Sequence, residues 1–195
     1  MCTLVLVSVI AAVLLAGCAF TTIQITGVQF KEPLCQAGKP SVSTLVYWGT
    51  KWRADQKEPP LREAAALRGI QDFPDHSGCL SVVAVNRLGT EQVLASNEEL
   101  MWLASSANVK LDRLLLVIVR ELGPNIHVGI PVIVGGDTQV IVEVRVIDAS
   151  TSASLATTQT MWRNGGSFVF KGVKTLDQDM NAAWSATLML DQAAK

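Results

Sequence analysis

The chain has 195 residues, with 16 basic and 17 acidic side chains and a formal net charge of -1. That balance leaves no electrostatic field suited to gripping nucleic acid or anionic lipid, and excludes both as primary partners. The length suits one ordinary domain with a full core, and neither an internal repeat nor a low-complexity tract divides it.

In chain order, the first feature is an uncharged apolar run over residues 3–20 that ends in Leu15-Ala16-Gly17-Cys18. An apolar segment followed by small residues has the pattern of a secretory signal. Its ending resembles the lipobox of bacterial lipoprotein signal peptides, in which the cysteine is acylated and becomes the new first residue. The resemblance implies a signal peptide over residues 1–17, a lipid-anchored N-terminus at 18–21 and one periplasmic domain over 22–195. The basic residue expected before the apolar region is missing, since Met1-Cys2-Thr3 offers only the α-amine, so whether Met1 is the true start stays open. The alternative is an uncleaved membrane helix or a buried core helix. A span needs about 20 apolar residues, and this run is at the short end. Lipoproteins of this kind carry three acyl chains. At about 0.8 kcal/mol per buried CH₂, two or more chains hold a membrane durably where one does not. Ala19 and Phe20 lack the aspartate that retains many such proteins at the inner membrane, so the resemblance implies the outer membrane, facing the periplasm.

Of the four cysteines, Cys2 then leaves with the signal and Cys18 takes the lipid. Cys35 and Cys79 remain in the oxidising compartment that the resemblance implies, where disulfides persist. A Cys35–Cys79 bridge is the expectation and a pair of free thiols the alternative. Their spacing fits neither a redox motif nor a zinc site.

Residues 22–30 alternate as a strand, and 42–48 read as a second one after a loop rich in Pro and Gly. Residues 51–60 are polar enough for an exposed loop. Pro59-Pro60 can open a helix, with Leu61, Ala64, Ala65, Leu67, Ile70 and Phe73 at helical spacing and Pro74 as its stop. A strand over 79–88 follows. Ser96 and Glu99 form a capping-box signature for a helix over 97–107 that buries Leu100 and Leu103, with Trp102 a further candidate. The nearly continuous aliphatic run 111–119 suits a central strand covered on both faces.

Gly123-Pro124 then predicts a turn, and 126–134 an edge strand because it contains Pro131. Gly135-Gly136-Asp137 predicts the next turn, before a strand over 139–147 with Val140, Val142, Val144 and Val146 on one face. A strand over 155–163 meets a predicted Asn164-Gly165 hairpin turn, and 167–173 a further strand. Thr175 and Gln178 form a second capping box for a closing helix with Leu176, Met180, Ala183, Trp184, Thr187 and Leu188 on one stripe. The fold class is α/β (α+β), a single mixed, largely antiparallel sheet with helices packed on it. In element order after Pro60, and in the strand ending Ile147-Asp148, the chain is similar to periplasmic lipoprotein domains of the curli-secretion and penicillin-binding-protein-activator type and to the N-terminal domain of TolB. This resemblance implies a fold and transfers no functional residue.

No catalytic signature stands out. His76 and His127 have no ligand-spaced companions, and phosphate-loop, nucleophile-elbow and dinucleotide motifs are missing, so neither metal nor cofactor is expected. Glu98-Glu99 and Asp177-Gln178-Asp179 fall in first turns of helices, where the dipole favours negative charge. Trp and Arg are enriched at binding hot spots, which makes Trp52, Arg53, Trp162 and Arg163 candidates for a partner surface. Core packing is the competing role for Trp162. The expectation is a non-enzymatic accessory subunit of an envelope assembly, transport or cell-wall machine, anchored through acylated Cys18 and bound to an envelope protein. The alternative is a lipid-anchored hydrolase or small-ligand carrier.

Overall fold

A computed structural model describes residues 19–30, 34, 41–77, 80–106, 109–129, 133–167, 169 and 171–188. The lipobox with Cys18, the pair Cys35 and Cys79, and Pro131 all lie outside the described residues.

The aliphatic run after Asp112 forms the middle of the sheet: residues 114–119 are all buried, as a strand with neighbours on both edges and cover on both faces requires. Six strands take part, β1 (Phe20–Val28), β2 (Val42–Thr50), β3 (Leu80–Arg87), β4 (Arg113–Gly129), β5 (Ile133–Asp148) and β6 (Ser154–Ser167), in the spatial order β1-β6-β5-β4-β2-β3. β2 runs parallel to both β3 and β4, while the β4–β5, β5–β6 and β6–β1 pairs are antiparallel. The parallel pair β2–β3 is joined by α1 (Pro59–Ser77), as a crossover connection demands. The sheet is therefore mixed and largely antiparallel, with α1, α2 (Asn97–Ser105) and α3 (Leu176–Leu188) packed on it, as the sequence implies.

The two faces are covered unequally. On the first face α1 and α3 bury the Val140, Val142, Val144 and Val146 row with Val117, Val119 and Leu122. Phe73 and Trp184 meet there edge to face, with ring centroids 5.9 Å apart. On the second face α2 and the 3₁₀ turn Gln92–Leu94 cover the β2–β4 region and the carboxyl end of β5, through Leu100, Ala104 and Val93 on Leu45, Leu114, Leu116 and Ile147, with Arg145 Nη1 donating to Ala95 O at 3.0 Å. Beyond that patch the second face of β5, β6 and β1 has no helix over it among the described residues.

Local sequence rules hold where one side chain decides. The Ser96 hydroxyl accepts from Glu99 N at 3.2 Å while Ser96 N donates to Glu99 Oε2 at 2.7 Å, closing the capping box of α2. The α3 stripe buries all six of its expected members, and Asp179 with them.

Several expectations are corrected. Gly123-Pro124 does not turn the chain: β4 runs straight through it to Gly129. Its pairing with β2 ends at Val119, so among the described residues Pro124 lies on a stretch with a strand on one side only, where a missing donor is tolerated. Gly135-Gly136-Asp137 and Asn164-Gly165 are likewise inside β5 and β6, paired with each other. A Cβ on Gly165 would lie 2.2 Å from Gly136 O and 2.4 Å from Asp137 Cα, so these glycines serve close strand contact and not a hairpin. Of the strand expected over 167–173, Ser167 instead closes β6 and Val173 opens a 3₁₀ turn, Val173–Thr175. α1 runs past Pro74 to Ser77, a proline in the last turn costing one bond. It turns Arg62, Ala65 and Ala66 inward, leaving Leu61 and Ala64 exposed.

Candidate functional site

At the carboxyl end of β2 the chain leaves the sheet through Lys51-Trp52-Arg53, just where β4 carries a bulge. Val119 pairs with Val142 and Glu121 with Ile141, so Arg120 is the extra residue. Val119 and Leu122 are both fully buried on the helix-covered side. The two residues between them, Arg120 and Glu121, consequently both reach the cleft outside the sheet, which ordinary strand alternation would forbid. With Gln139 and Ile141 of β5 and Gln159 of β6, they and the β2 exit enclose an open cleft of about 400 Å³.

Glu121 is the buried centre of this arrangement, 5% exposed. Its Oε2 lies 2.9 Å from Arg53 Nη2 and its Oε1 4.0 Å from Arg62 Nη1. With its side-chain amide turned to satisfy its neighbours, Gln56 donates to both carboxylate oxygens at 3.3 Å and accepts from Arg62. Arg62 Nε donates to Lys57 O at 2.6 Å and its Nη1 to Leu122 O. A buried carboxylate is tolerable only when paired and hydrogen-bonded in this way. Arg120 is held separately: its Nη2 donates to Glu143 Oε2 at 2.9 Å, with Nε 2.6 Å from Oε1. Lys51 makes no ion pair among the described residues and is exposed.

The four expected surface residues are not on one surface. Arg53 is exposed at the cleft rim and Trp52 is half-buried, lining the cleft while packing against the main core. The indole Nε1 of Trp52 is buried without a hydrogen-bond partner among the described residues. Trp162 is a core residue, 4% exposed beneath the helices, because its strand neighbour Val140 faces the same way. Arg163 lies on the opposite, second face, where Nε donates to Asp137 Oδ2 at 3.1 Å. Asp137 is joined there by Asn125 Nδ2, 3.4 Å from its Oδ1. Trp102, expected as a burial candidate on α2, is 75% exposed. Sequence reasoning passed over Arg120 and Glu121, although two adjacent charges interrupting an otherwise aliphatic run are the signature such a bulge leaves.

Two carboxylates away from the cleft have shifted affinities for protons. Asp148 is held below the ordinary aspartate range, first by the Ser150 hydroxyl at 2.5 Å, then by the Ser150 N–H, Arg113 and the Thr151 N–H, against a partial opposing effect of burial. Burial pushes Asp179 up, offset in part by the Lys171 charge and the Thr175 hydroxyl. Neither borders the cleft. Among the described residues no group of His, Cys, Asp and Glu could hold a metal ion, and no helix is long and apolar enough to cross a membrane.

No protein-family model and no curated protein matches the chain. Similar solved structures include a point variant of the PelC dodecamer from Paraburkholderia phytofirmans, at 15% identity and a TM-score of 0.48, covering 87% of this chain and 96% of that one. The lipoprotein GNA1162 from Neisseria meningitidis is similar at 14% identity and a TM-score of 0.43, over 78% of this chain and 98% of that one. XCC0632 from Xanthomonas campestris, of the DUF330 family, is similar at 12% identity and a TM-score of 0.41, over 87% and 98%. The neighbours thus include a bacterial lipoprotein, and at these identities no residue role passes to this chain.

Proposed function

We propose that this chain is a lipid-anchored envelope protein with a non-enzymatic binding role, an accessory subunit that docks an envelope partner on the uncovered half of its sheet. The observation that carries this reading is β1. All nine of its residues are exposed except Ile25, which is half-buried, and it forms one edge of the sheet. Residues 20–28 contain no charge and no proline, and their pairing with β6 has no bulge, so the edge lacks the usual guards against a further strand. Its second-face residues Thr22, Gln24 and Thr26 continue the uncovered surface of Gln159, Met161 and Arg163.

The lipobox supplies the rest of the argument. Cys18 precedes Phe20 by two residues, at most about 7 Å of extended chain, so an acylated Cys18 holds the open edge at the membrane. Residues 22–195 then form the periplasmic part, Cys35 and Cys79 its candidate disulfide, and the outer membrane its site of attachment. Replacement of Cys18 by Ser tests this: incorporation of labelled palmitate should cease and an unprocessed precursor accumulate, and unchanged labelling contradicts it. A second reading, a small-ligand carrier, is favoured by the cleft around Glu121.

A further inference from the structure

The cleft at the β2 exit has the composition of a site and no structural task that uses all of it. The carboxylate of Glu121 is held by one nitrogen of Arg53 at 2.9 Å and backed from beneath by Gln56, with Arg62 at 4.0 Å, so it leaves the other donors of Arg53 uncommitted. Arg53 spends one nitrogen on Glu121 and reaches Asp55 only at 3.7 Å, and a guanidinium has five N–H donors. Lys51, on the same rim, makes no ion pair among the described residues. The rim therefore carries positive charge in excess of what the protein itself neutralises. The walls differ in kind: a half-buried indole at Trp52, the amide of Gln159, able to donate and accept, and the amide of Gln139, whose Oε1 accepts from Asn125 Nδ2 at 2.8 Å and whose N–H groups can still donate. An aromatic surface beside amides that donate and accept suits a ring bearing hydroxyl groups, and the cationic rim suits one carboxylate. A volume of about 400 Å³ admits a small molecule of one or two rings.

The geometry points to a binding site for a small carboxylated sugar, its carboxylate on Lys51 and Arg53 and its ring against Trp52, Gln139 and Gln159. The site includes neither the lipid anchor nor β1, and it borders the docking surface at Gln159.

Titration calorimetry of the full chain in detergent, with D-glucuronate, D-glucose and acetate as probes, tests it. Glucuronate should bind saturably, glucose and acetate each at least about tenfold more weakly, since each lacks one half of the recognition. Lys51→Gln alters an exposed side chain with no ion pair among the described residues and should weaken glucuronate about tenfold with an unchanged circular dichroism spectrum. Raised salt should weaken it further. Absence of saturable glucuronate binding at millimolar concentration overturns the proposal. So does glucose or acetate binding as tightly as glucuronate, or a folded Lys51→Gln variant binding it undiminished.

Discussion

The guanidinium of Arg62 lies so close over Gly123 that a Cβ there would fall 1.4 Å from its Nη1. The close approach lets a side chain from α1 reach the backbone of β4 and compensate Glu121. Gly123→Ala should therefore displace Arg62, strip Leu122 O of its donor and cost about 1–3 kcal/mol. Urea unfolding measures it, and an unchanged midpoint contradicts the assignment.

Gly69 makes the corresponding contact between helices. A Cβ there would lie 2.5 Å from Asp177 O and 2.7 Å from Met180 Cβ, at the crossing of α1 and α3. Alanine gains about 1 kcal/mol in helix propensity, while forcing a packed interface apart typically costs about 1–3 kcal/mol. The contact here is with backbone, which yields little, so Gly69→Ala should destabilise. A raised melting temperature would refute the close crossing.

Asp179 should weaken the fold as it ionises. Its folded pKa is raised by burial, so the folded state binds more protons than the unfolded one between the two values. Its contribution is fully present below the unfolded value, about 3.9, and is lost as pH rises through the folded one. Asp179→Asn removes that loss. The variant should exceed the parent in stability at neutral pH by more than at pH 3; a pH-independent difference would contradict this sign.

Asp148 has the opposite sign. Its folded pKa is lowered by Ser150 and the turn it organises, so its contribution is present above the unfolded value and lost as pH falls through the folded one. Asp148→Asn should be less stable than the parent at neutral pH, the gap closing in acid. Parallel pH curves for the two proteins would exclude the mechanism.

Much of the fold was legible because it rests on local patterns. Ser96 and Glu99 announce a helix start, the α3 stripe announces its buried face, and residues 114–119 announce a strand covered on both sides. What misled were residues whose local meaning was overridden by distant partners. Gly136 and Gly165 look like turn formers and are contact points between strands. Pro124 looks like a break, and is tolerated because β2 has already left its side. Arg62 looks like a surface cation, yet Glu121 and Gly123, about 60 positions away, draw it inside. Trp52 and Arg53 were legible as candidates from their polar setting. Trp162 was not separable from them, because its burial follows from its pairing with Val140.

The central claim, that an envelope partner docks on the uncovered half of the sheet, is tested most directly by in-cell photocrosslinking of the lipidated protein. A photoreactive residue replaces Gln24 on β1, with Trp102 on α2 as a comparison site. The account predicts one stoichiometric envelope partner captured from position 24 and lost when Cys18 is replaced by Ser. Recovery of the protein alone, or equal capture from both positions, would contradict it.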